Sequence, residues 1–77
     1  MLYLKNNTIH KGDYVSSTPI LSIHLRKGAG LKKTNGEEWF DCVEYQFLGD
    51  NLRFSMVEMN EIMNLIKNHA VKNGLSL

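Results

Sequence analysis

The sequence predicts an α+β fold, a small antiparallel sheet of three to five strands in a meander with one C-terminal amphipathic helix packed on one face. Three observations predict it. Leu21, Ile23 and Leu25 alternate with Ser22, His24 and Arg26, the period-2 pattern of a strand with one buried face. A second alternating stretch follows the Asn35-Gly36 dipeptide, which favours a tight hairpin turn. From residue 56 onward the apolar residues change to helical spacing. The 77 residues are read as a single domain, with strands within 1–55 and the helix at about 56–72.

Each element has its own signals. Leu2-Tyr3-Leu4 is a short strand stopped by Asn6-Asn7, and Lys11-Gly12-Asp13 is a turn signal within the stretch from Ile9 to Ser17. Pro19 fits the start of the next strand, where a ladder donor is not needed. That strand runs from Ile20 to Arg26 and ends in the glycine- and lysine-rich connection 27–36. A third clear strand extends from about Glu38 to Leu48, with Trp39, Val43, Tyr45 and Phe47 as an inward apolar row interrupted by Asp41. Gly49-Asp50-Asn51 turns the chain into a short strand at Leu52 to Ser55, with Leu52 and Phe54 facing in.

Ser55-Met56-Val57-Glu58 has the form of a capping box. Met59, Ile62, Met63, Ile66 and Ala70 then make one helical stripe. Glu58 and Glu61 near the start, with His69 and Lys72 near the end, complement the helix dipole. Asn73-Gly74 supplies the stop, after which Leu75 folds back over the last turn.

Composition narrows the function classes. The single cysteine, Cys42, cannot form an internal disulfide, which points to a cytoplasmic protein. No apolar run approaches the ~20 residues of a bilayer span, and the N-terminus lacks the apolar core of a signal peptide. The asparagine-, lysine- and isoleucine-rich composition fits a low-GC bacterium or its phage. His10, His24, His69 and Cys42 share no metal-ligand spacing, and Cys42 has no assignable base partner. Gly28 to Thr34 lacks the glycine before the lysine that a phosphate loop requires, so it reads as a basic hairpin loop. The carboxylates of Glu37, Glu38, Asp41 and Glu44 read as a solvated strand edge. The expectation is a protein that is not an enzyme, with no catalytic residues, cofactor or metal. Met56, Met59 and Met63 read as core or as an adaptable dimer surface, with a methionine-rich recognition groove as the alternative.

Charge by position carries the functional signal. The formal net charge is +1. Residues 1–36 nevertheless hold six Lys and Arg against Asp13 alone, a balance of +5, while residues 37–77 come to −4. Such asymmetry points to nucleic acid, and equally describes a solvated face. With Leu21, Ile23 and Leu25 under the helix, His24, Arg26, Phe40, Cys42 and Arg53 fall on the open sheet face. Cations with a ring on an open sheet suit single strands, whose bases stack and whose phosphates pair. A second copy of the sheet could equally cover Phe40, Cys42 and Leu48.

Leu21-Ser-Ile-His-Leu-Arg26 resembles the strand of alternating aliphatics ending in arginine in the single-stranded-DNA-binding transcriptional positive-cofactor family and its Whirly-like relatives. Leu52 to Ile62 resembles that family's final strand, helix cap and first helical turns. The resemblance implies a ββββα unit that dimerises and binds strands across its sheets, with Arg26 as a strand-binding cation and Lys32-Lys33 along the nucleic acid. The leading expectation is therefore a dimeric domain binding single-stranded nucleic acid through Arg26, Lys27, Lys32, Lys33, Phe40 and Arg53, with no membrane partner. The alternative is a small phage or mobile-element protein that binds and modulates a host protein, using its acidic helix face or the open sheet.

Overall fold

The computed structural model describes residues 1–13, 15–28 and 41–75. Four strands, β1 (Leu2–Lys5), β2 (Thr8–Gly12), β3 (Ser17–Arg26) and β4 (Cys42–Phe47), precede one helix, α1 (Met56–Lys72). Each strand pairs antiparallel with the next, so the sheet order β1-β2-β3-β4 is the expected meander.

Local chemistry accounts for the turns. Asn6 and Asn7 have φ of 50° and 63° and close the β1–β2 hairpin between Lys5 and Thr8. Asparagine tolerates this left-handed region, which matches the twist of paired strands in a two-residue turn. At the β2–β3 connection Gly12 has φ of 132°, and a Cβ there would meet the Ser16 carbonyl oxygen at 2.4 Å. Only glycine fits that approach. The Ser16 amide donates to Asp13 Oδ1 at 2.8 Å and tightens the same turn.

β3 starts earlier than its alternation predicts and contains Pro19 as its third residue. Ile9 pairs with Leu21 while His10 pairs with Pro19, so Ile20 has no opposite residue. This β-bulge follows directly on a residue without an N–H, where a regular ladder would be interrupted in any case. It shifts the side-chain phase by one. Ile20 and Leu21 consequently both turn toward the helix and are buried.

The core is the cluster Ile9, Ile20, Leu21, Ile23, Ile62 and Ile66, rimmed by Leu2, Leu4, Leu25, Val43, Phe54, Met59 and Leu65. The helix is bounded as its signals predict. Ser55 Oγ accepts from the Glu58 amide at 3.1 Å, and Glu58 Oε1 accepts from the Ser55 amide at 3.0 Å, completing the capping box. At the other end the Leu75 amide donates to the Ala70 carbonyl and the Gly74 amide to that of Val71. With Gly74 at φ 82° and Leu75 buried, this is a Schellman stop. Lys11 Nζ lies 2.8 Å from Glu58 Oε2 and 5.7 Å from the Phe54 ring centroid, tying the first turn of α1 to the end of β2.

Two expectations about the elements are corrected. Leu52 to Ser55 is not a strand: among the described residues it pairs with no other strand, and it leads into the Ser55 cap with Phe54 half-buried and Leu52 exposed. The helical stripe uses Ile62, Ile66 and Ala70 with Met59 and Leu65, while Met63 sits at its solvent margin. β4 begins at Cys42; the part of its expected span before Asp41, with Trp39 and Phe40, lies outside the described residues.

Truncating Ile62 to Ala should lower the unfolding free energy by about 2–5 kcal/mol, read from urea denaturation followed by circular dichroism. In a domain this small, a loss at the upper end would unfold much of the population. A second expectation concerns acid. The hydrogen bond from Lys11, supported by the Ser55 amide, holds the Glu58 carboxyl below its ordinary value. The folded chain therefore binds that proton less readily than the unfolded chain. This contribution is present at neutral pH and disappears as pH falls through the folded-state value. Glu58→Gln should accordingly flatten the acid limb of the stability profile, measured as the denaturation midpoint against pH.

Candidate interaction surface

The two faces of the sheet differ in chemistry. The helix-free face carries Tyr3, Lys5, Thr8, His10, Ser22, His24, Arg26, Cys42, Glu44 and Gln46, following from the pairing register. Tyr3 stacks on His10 with centroids 5.3 Å apart and donates from its hydroxyl to Ser17 Oγ at 2.6 Å. His10 Nδ1 is buried without a hydrogen-bond partner. Arg26 Nε lies 2.9 Å from Glu44 Oε1, with both side chains about half exposed. An exposed pair of this kind contributes little stability, but it places a carboxylate beside the cation.

The expected nucleic-acid residues are not gathered into one patch among the described residues. Arg26 ends β3 on the helix-free face. Lys27 lies under the C-terminal end of α1, where a Cβ on Gly74 would come within 3.0 Å of its Nζ. The negative end of the helix dipole favours a cation there. Arg53 is exposed in the segment leading to the helix start, next to Phe54 in the chain. The 17-residue helix is about 25 Å long and separates these two ends. Lys32, Lys33 and Phe40 lie outside the described residues. The base of their connection is anchored by the Gly28 amide, which donates to Asp41 Oδ1 at 2.8 Å.

A different surface stands out on the helix side. The cross-strand pairs Leu25–Val43, Ile23–Tyr45 and Leu21–Phe47 put Val43, Tyr45 and Phe47 on the same face as the core. A helix about 10–12 Å across covers roughly two strands at about 4.8 Å spacing. α1 lies against β1 and the centre of the sheet, so the row on β4 emerges beyond it. The alternation predicts an inward row that includes Tyr45 and Phe47, yet Tyr45 is 60% and Phe47 43% exposed. Tyr45 meets Phe47 edge-on at 6.0 Å, and Phe47 lies 6.2 Å from Phe54. Exposed Leu52 extends the patch toward Phe54. At its end Phe47, Gly49, Asn51, Leu52 and Phe54 line an open groove of about 330 Å³.

Among the described residues, no group of three or more His, Cys, Asp or Glu side chains could hold a metal ion. No helix among them is long and apolar enough to cross a membrane. Comparison with protein-family models, with curated proteins and with solved structures returns no match for this chain.

Proposed function

We propose that this chain is a non-enzymatic domain that works by binding another protein through the apolar surface of β4 and the groove beside it. One observation carries the reading: exposed Tyr45 packs on exposed Phe47, Phe47 lies beside Phe54, and Phe47, Phe54 and exposed Leu52 line one groove, a continuous apolar run outside the aliphatic core. A patch of this kind on a small domain marks a contact site, and clustered aromatics are the side chains that dominate binding energy at such sites. The groove offers a recess for an apolar anchor from the partner.

The test uses the tagged chain as bait in extracts of its source cells. Tyr45→Thr and Phe47→Thr keep strand propensity and remove the rings. Each should weaken capture of the bound protein about 30-fold, the equivalent of ~2 kcal/mol, while circular dichroism shows the fold intact. Capture unchanged in both variants would sink the reading.

The charge division supports a second reading, single-stranded nucleic acid held by Arg26, Lys27, Lys32, Lys33 and Arg53, with Phe40 stacking on a base. Affinity for a labelled oligonucleotide should then fall steeply with salt. Affinity that is absent at low salt, or flat with salt, counts against it.

A further inference from the structure

We propose that the protein on the β4 surface is a second copy of this chain, paired antiparallel along the outer edge of β4 about a twofold axis through Tyr45. The inference rests on the protein-binding reading above and names its partner.

The backbone supplies the first argument. The Ile23 amide donates to Asn7 across β2, and the Leu48 amide donates to the Ile20 carbonyl across β4. In an antiparallel ladder these directions alternate along each strand. The N–H and C=O groups of Val43, Tyr45 and Phe47 therefore point away from β3, and no strand among the described residues pairs with them. Cys42–Phe47 contains no Lys or Pro, and its pairing with β3 shows no register shift. The opposite edge, β1, is only four residues long and ends in exposed Lys5, features that discourage pairing. The open invitation is on β4.

Register supplies the second argument. Only registers that oppose Val43, Tyr45 and Phe47 to one another satisfy the outward groups. Centring on Tyr45 opposes Tyr45 to Tyr45 of the other copy and Val43 to Phe47, and leaves none of these groups unmatched. On the helix side, rings and aliphatics then meet rings and aliphatics, closing the exposed row between two helices. On the other side, Glu44 faces Gln46, whose amide can donate to the carboxylate. A shift of the axis to Glu44 would oppose two like charges, which is unfavourable across a strand pair. The sequence of β4 is thus self-complementary about Tyr45, and a twofold axis asks for that property.

The experiment is sedimentation equilibrium of the full chain over a wide concentration range, with two substitutions at exposed Gln46 on the helix-free face. Gln46→Glu places a carboxylate opposite Glu44 twice per dimer and should weaken association about tenfold. Gln46→Lys should tighten it at low salt, with the gain disappearing as salt is added. Circular dichroism confirms folding of each. A mass that stays monomeric throughout, or a dimer indifferent to both substitutions, would overturn the proposal. If the chain stays monomeric but loses a different captured protein in Phe47→Thr, the second copy is refuted and the protein-binding reading survives. If neither self-association nor capture responds to Tyr45, Gln46 or Phe47, both fall.

Discussion

One helix cannot cover a four-stranded sheet, and much of this molecule follows from that mismatch of widths. The helix position is set at both ends. Lys11 and Phe54 hold its first turn over the end of β2, and the Schellman stop brings Leu75 down at the other. The aliphatics beneath, Ile9, Ile20, Leu21 and Ile23, are sealed from water by Ile62 and Ile66. The fourth strand then contributes Val43 to the core margin and leaves its two rings outside. Hydrophobic burial is deepest under the helix and falls away on β4 beside it.

The bulge at Ile20 shows how the core is filled despite the short helix. Regular alternation would send Ile20 to the helix-free face, among Ser22, His24 and Gln46. The extra residue turns it inward, so adjacent isoleucine and leucine side chains occupy the same side. Pro19 beside it lacks the donor that a regular ladder would use, so the irregularity costs the sheet little hydrogen bonding. Sequence irregularity and packing need coincide at one position.

Charge distribution along the chain and charge distribution in space are different quantities here. The basic first half and acidic second half are threaded through one sheet and one helix, so opposite charges become neighbours. Lys11 from the basic half meets Glu58 from the acidic half, and Arg26 meets Glu44. Antiparallel pairing and helix docking bring distant segments together and partly neutralise the division. What remains unneutralised on the helix side of β4 is apolar surface, whose complement is another apolar surface.

The sequence by itself determined the elements whose causes are local. Capping chemistry at Ser55 and Glu58, the Asn73-Gly74 stop and the alternation from Leu21 to Leu25 each act within a few residues, and the structure carries all three. Only the tertiary structure decided which side chains those elements bury. The lateral position of α1, the bulge opposite Ile9, the irregular segment at Leu52 to Ser55 and the exposure of Tyr45 depend on contacts between segments far apart in the chain. Periodicity states which side of a strand a residue faces. Whether anything covers that side depends on where a helix of fixed width comes to rest.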